Sequence, residues 1–125
     1  MNKPTPEELE LLHDQLCSAL NDRTRIAILY ELAGGSRHVS GLAAALGIPQ
    51  ATVSRHLRVL REGGIVSAAR EANRVLCGLQ DRRILTVLDM MREILAASIH
   101  RRSEAGARIR SARTRVGRGR RSSGG

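Results

Sequence analysis

"QATVSRHLRVLREGGIV", residues 50–66, is the stretch whose spacing decides the fold. At about 100° per residue, Val53, Leu57 and Leu60 fall on one narrow stripe, while Ser54, Arg55, Arg58 and Arg61 point elsewhere. Such a helix docks by its stripe and offers a small, polar and basic face to something outside the core. The Gly63-Gly64 pair then stops it.

Upstream, "VSGLAAALG" reads as a short helix starting near Ser40 and ending at Gly47. Before it, "DRTRIAILYELAGG" aligns Ile26, Leu29 and Ala33, is capped by Asn21 or Asp22, and stops at Gly34-Gly35. Near the N-terminus, Thr5, Pro6, Glu7 and Glu8 supply a capping hydroxyl, a proline for the first helical position and acids for the positive end of the dipole. The first helix is expected to run to about Leu20, with Leu9, Leu12, Leu16 and Leu20 along one edge. Downstream, "IVSAAR" and "RVLCGL", separated by "EAN", have the lengths and turn residues of a β-hairpin. Asp81 then caps the longest periodic segment, expected to end near Ser103. Its Ile84, Leu88, Met91 and Leu95 share a face that Val87 and Ile94 widen. A helix this apolar, at the end of a small domain, wants a partner.

With 125 residues, the chain has room for one core. Tyr30 is the only aromatic residue, so that core is aliphatic, a composition that favours packed helices over a β-sandwich. The net charge of +9 is unevenly placed: residues 1–107 hold 14 Lys/Arg against 12 Asp/Glu. Arg108, Arg110, Arg113, Arg115, Arg118, Arg120 and Arg121 follow with no acid among them. The expected division is therefore a folded domain over residues 1–103 and a basic, disordered arm over 104–125. No apolar run approaches the ~18 residues that a membrane span requires, and "MNKPTPEELE" lacks a signal-peptide layout, so a cytoplasmic location is expected. Two distant cysteines, Cys17 and Cys77, do not suggest a disulfide framework.

Two short helices joined by a turn at Gly47, the second with a polar face, followed by a hairpin, form the layout of a winged helix-turn-helix. The expected fold class is mainly α with a small β-hairpin. The segments "TRIAIL", "VSRHLRVLREGGIV" and the wing pattern "R-x-x-N-R-V-x-x-x-L-x-D" agree in order and spacing with the ArsR/SmtB family of bacterial winged-helix repressors, which the chain resembles over about residues 7–103. The resemblance implies a homodimer built from the first and last helices. It also implies binding to an imperfect palindrome near the protein's own promoter and release by an inducer.

Hydrogen-bonding chemistry points the same way. Gln50 and Ser54 lie about one turn apart near the start of the helix, where side chains reach base edges, and Gln bonds adenine at two positions. Arg55 reaches a guanine or a phosphate. The resemblance implies base approach at Gln50, Ala51, Ser54 and Arg55, with Ala51 replacing the family's common serine and offering a methyl contact instead. Arg58 and Arg61 suit phosphates, and Arg70 and Arg74 at the wing suit the backbone or minor groove. His56, toward the edge of the stripe, reads as packed or capping. The plain alternative for the whole face is a solvated helix surface.

Sensing residues vary within the resembled family and are read one position at a time. The family's arsenic-type Cys-x-Cys-Asp-Leu run is matched here by "HVSGL", without thiols. At the family's zinc-type site on the last helix, Asp89 and His100 retain ligand chemistry. They stand ~16 Å apart on one helix, so only an antiparallel partner helix across a dimer would bring them to one ion. His13 and Cys17, spaced i, i+4 on the first helix, are effector candidates, and Cys77 in the second wing strand is another. Against each stands the plain role of a surface or packed side chain. No cofactor is required.

The expected function is a dimeric, sequence-specific repressor acting on double-stranded operator DNA, with release by a thiol-reactive or metal inducer left open. Two alternatives are an effector-independent regulator and a nonspecific architectural DNA binder acting through the arginine-rich arm. An enzyme is the weakest class. Ser54 and His56, two residues apart on a helix, do not face each other, and no phosphate-cradling glycine loop is present.

Overall fold

The structure is a computed structural model that describes residues 2–122, and side chains as far as residue 112. The end of the expected arm, residues 123–125, lies outside the described residues. Two compact units divide the chain, one reaching Thr86 and one starting at Val87.

In the first unit, helix α1 comprises three consecutive stretches: Pro6–Leu11, a wider π-type turn over Leu12–Cys17, and Ser18–Leu20. Thr5 caps it as expected, its hydroxyl accepting the Glu8 amide at 3.1 Å. Helix α2, Arg23–Glu31, is capped by Asp22, whose Oδ1 accepts the Thr24 and Arg25 amides at 2.8 and 3.1 Å. A 3₁₀ turn, Leu32–Gly34, ends it. Strand β1 (Arg37–His38), helix α3 (Val39–Leu46), helix α4 (Gln50–Glu62) and strands β2 (Val66–Glu71) and β3 (Arg74–Leu79) complete the unit.

Glycine stops work as their backbones require. Gly47 adopts φ +67° after α3, and Gly64 φ +73° after α4, with the Ile65 amide reaching back to the Leu60 carbonyl at 2.9 Å. The hairpin is antiparallel, with Val66 opposite Leu79 and Glu71 opposite Arg74, so its turn is only Ala72-Asn73. The sequence shows the hairpin but not its third strand: β1 adds to the far side of β3, giving the order β1-β3-β2. Two residues carry too little periodicity to announce a strand.

The core is aliphatic, as composition demands. Buried in it are Ile28, Leu29 and Leu32, Leu42 of α3, Val53 and Leu60 of α4, Ile65 just before the sheet, Val66 of β2 and Cys77 of β3. Val53, Leu57 and Leu60, the stripe read from the sequence, are all buried.

The last helix, α5, runs Arg83–Ser122, past the expected end near Ser103. Its start follows the reading: Asp81 accepts the Arg83 amide at 2.9 Å, and bonding to the Arg83 side chain and amide holds its carboxyl down to about 2. Continuation past Ser103 has a local cause. Ala105, Ala107, Arg108, Ile109 and Arg110 tolerate helix well, and Glu104 meets both His100 (3.1 Å) and Arg108 (3.8 Å) at i, i+4 spacing. Among the described residues, no helix is long and apolar enough to cross a membrane.

Two stability predictions arise here. Asp22 is held below the ordinary carboxylate range, chiefly by the Arg25 amide. Its stabilisation is therefore present above that range and lost as pH falls through the lowered value. Asp22→Ala is expected to cost about 1 kcal/mol at neutral pH in urea melts, with the gap closing in acid. Ala72 sits at φ +52°, where a Cβ is unfavourable, so Ala72→Gly is expected to raise stability by about 0.5–1 kcal/mol in thermal melts.

Candidate nucleic-acid interface

Helix α4 begins abruptly because Pro49 precedes it in an extended backbone, its carbonyl accepting the Thr52 and Val53 amides at 3.0 and 3.2 Å. Gln50 and Ala51 therefore occupy the first turn, at the positive end of the helix dipole. Burial of Val53, Leu57 and Leu60 turns Gln50, Ala51, Ser54, Arg55, Arg58 and Arg61 outward, and all six are exposed. Glu62 is the helix's only acid, so this face is electropositive along most of its length. Arg55 Nη2 lies 3.4 Å from Thr52 Oγ1, a weak tether within the helix.

Arg70 and Arg74 are exposed on either side of the Ala72-Asn73 turn. The hairpin leans Arg74 toward α4 across a cleft of about 300 Å³ whose polar lining is His38, Ser40, Gln50, Ser54, Asn73 and Arg74. Three residues selected from sequence, Gln50, Ser54 and Arg74, meet in that cleft. Ala51, Arg55, Arg58, Arg61 and Arg70 are not part of its lining. His38, Ser40 and Asn73 are additions that sequence reasoning missed. For Ser40, a hydroxyl at the start of α3 was the available signal, and for Asn73 a polar residue in the wing turn. His38 Nε2 also lies 3.5 Å from Glu71 Oε2, linking β1 to the wing tip. His56 is half-buried with Nδ1 3.2 Å from Arg25 Nη1, in keeping with a packed rather than an outward role.

The effector candidates are scattered. His13 and Cys17 both lie in the π-type stretch of α1, where the Ser18 amide reaches the His13 carbonyl five residues back. Both are exposed, and His13 Nδ1 contacts Asp14 at 2.9 Å. Cys77 is buried in β3 opposite Ala68, and burial pushes its thiol pKa up against the opposing charge of Arg61. That shift disfavours the thiolate that metal binding and redox attack need. On α5, Asp89 pairs with Arg92 at 3.2 Å and His100 with Glu104 at 3.1 Å. Among the described residues, no group of three or more His, Cys, Asp or Glu is arranged to hold a metal.

Residues 22–68, from the α2 cap through the start of the wing, match the model of the bacterial regulatory protein, arsR family. The transcriptional regulator CmtR of Mycobacterium bovis is 36% identical over 66% of this chain and 70% of its own length. This chain belongs to the ArsR family. The transcriptional repressor SmtB of Mycobacterium tuberculosis is 35% identical over 68% of this ArsR-family chain and 63% of its own length, so the chain spans about three-fifths of that relative. Among solved structures, the homodimeric winged helix-turn-helix DNA-binding domain of Mb0332 from Mycobacterium bovis superimposes with a TM-score of 0.66. It is 27% identical and covers 79% of this chain and 94% of its own. The fold of this ArsR-family chain is thus a winged helix-turn-helix, with α3 and α4 as the helix pair and β2–β3 as the wing.

Proposed function

We propose that this ArsR-family chain is a homodimeric, sequence-specific DNA-binding repressor of the bacterial cytoplasm, working by binding rather than by catalysis. The observation that carries this reading is α4: its apolar stripe is locked into the core while Gln50, Ser54, Arg55 and Arg58 stand exposed, Gln50 and Ser54 sharing a cleft with Arg74 of the wing. In a major groove, Gln50, Ala51 and Ser54 meet base edges, with Arg55 reaching a guanine or a phosphate. Arg58, Arg61, Arg70 and Arg74 then neutralise phosphates. Dimerisation through α1 and α5 is supported by their uncovered apolar residues, Leu9, Leu12 and Leu16 on the first and Met91, Ile94 and Leu95 on the second. The homodimeric description of Mb0332 agrees with it. The division into a domain over residues 1–103 and a basic segment over 104–125 that adds nonspecific attraction belongs to the same proposal.

Fluorescence anisotropy on the duplex immediately upstream of the protein's own gene tests this reading, with a random duplex as control. Preference for the upstream duplex, with a two-fold footprint, is expected. Equal affinity for both duplexes overturns it. Loss of all affinity on deleting residues 108–125 favours instead the architectural binder.

Within the repressor reading, the exposure of Cys17 and the burial of Cys77 make Cys17 the thiol to test for inducer response. Titration with zinc, arsenite and a persulfide donor, alongside Cys17→Ser, distinguishes an inducible repressor from one governed by its own concentration. Release that the substitution abolishes assigns sensing to Cys17, while release by zinc that persists points to Asp89 and His100 across the dimer.

A further inference from the structure

Arg25 on α2 joins three helices through one planar group. Its Nε donates to the Ala19 carbonyl at 2.6 Å, its Nη2 to the Ser18 carbonyl at 3.3 Å, and its Nη1 lies 3.2 Å from His56 Nδ1. Ser18 and Ala19 belong to the last turn of α1, where the Ser18 carbonyl also accepts the Asn21 amide at 3.2 Å. A guanidinium only donates, so the third contact is a hydrogen bond only when Nδ1 of His56 is unprotonated and the imidazole carries its hydrogen on Nε2. His56 sits on α4 between the buried Val53 and Leu57 and the outward Ser54 and Arg55.

A second contact ties the same two helices. Gly63, just beyond α4, faces α1 so closely that a Cβ there would lie 2.5 Å from the Gln15 carbonyl oxygen. Helix α4 is thus held to α1 at its middle, through Arg25, and again at its end. Base-edge hydrogen bonds tolerate displacements of only about 0.5 Å and 10–20°, so a helix free to roll on an aliphatic core loses discrimination before it loses its fold.

We infer that Arg25 and His56 are positioning residues for DNA recognition, setting the rotation of α4 against the end of α1 without touching DNA. The inference rests on the DNA-binding reading above. It also means that a displacement of the end of α1 is passed directly to the middle of the recognition helix.

The full chain carrying His56→Leu or His56→Asn tests it. Leucine removes the acceptor, whereas the Asn Oδ1 stands near the place of Nδ1 and still accepts from Arg25. Without DNA, imidazole nitrogen shifts are expected to show Nδ1 unprotonated at neutral pH. Amide exchange over residues 50–62 is expected to quicken in H56L and recover in H56N. With DNA, the ratio of affinities for the upstream and random duplexes is expected to fall about tenfold in H56L and recover in H56N.

A protonated Nδ1 in the neutral wild type overturns the inference. So does wild-type exchange in H56L, or a melting temperature lowered equally in both variants with the affinity ratio unchanged. Should H56L not fold, Arg25→Lys keeps the charge but loses the planar fork, and the same exchange and affinity changes are expected of it. A wild type with no preference for the upstream duplex defeats the repressor reading, while nitrogen shifts and exchange still decide whether the link between α1 and α4 exists.

Discussion

Gln50→Ala and Ser54→Ala are each expected to weaken binding to a specific duplex by about 1–3 kcal/mol, roughly five- to 150-fold, while binding to random DNA stays nearly constant. Both side chains are exposed at the start of α4 and both line the cleft that Arg74 closes from the wing side. Neither is buried, so loss of fold does not explain the effect, and thermal melts of both variants should overlay the wild type within about 0.5 kcal/mol. Arg58→Ala is the contrasting control. It should weaken binding to all sequences alike and reduce the slope of log affinity against log salt by about one unit. Anisotropy titrations across a salt series measure both quantities, and equal losses on specific and random duplexes in the Gln50 and Ser54 variants would reassign those residues to backbone contacts.

Leu60→Ala is expected to cost about 2–5 kcal/mol, because Leu60 is fully buried and its loss leaves a cavity that aliphatic neighbours fill only in part. In a unit of this size, each kcal/mol moves the melting temperature by roughly 4–8 °C, so a drop of about 8–40 °C is expected. Marginal stabilities of about 5–15 kcal/mol place such a variant close to unfolding at growth temperature. The exposed neighbour Arg61→Ala should leave melting almost unchanged. A calorimetric comparison of the two checks the division of α4 into an anchoring stripe and an outward face. A small loss at Leu60 would show that the stripe does not hold the helix.

Features governed by local periodicity and capping were legible in the chain. Thr5, Asp22 and Asp81 cap where they were expected to, Gly47 and Gly64 take the left-handed backbone that ends α3 and α4, and Val53, Leu57 and Leu60 point inward. Each is decided by residues within one or two turns, so sequence alone determined the winged helix-turn-helix and the outward face of α4. The end of α5 was equally local but lies beyond the expected Ser103, where alanines and the His100–Glu104–Arg108 ladder favour helix. Contacts between distant segments were decided only by the tertiary structure. Strand β1 exists because β3 offers an unpaired edge to residues 37–38, and the cleft gathers Ser40, Gln50 and Asn73 from three elements. Arg25 meets His56 across 31 positions of chain because α2 and α4 pack on one aliphatic core. No spacing rule encodes such a pairing, since its geometry follows from how the helices cross rather than from how either one repeats.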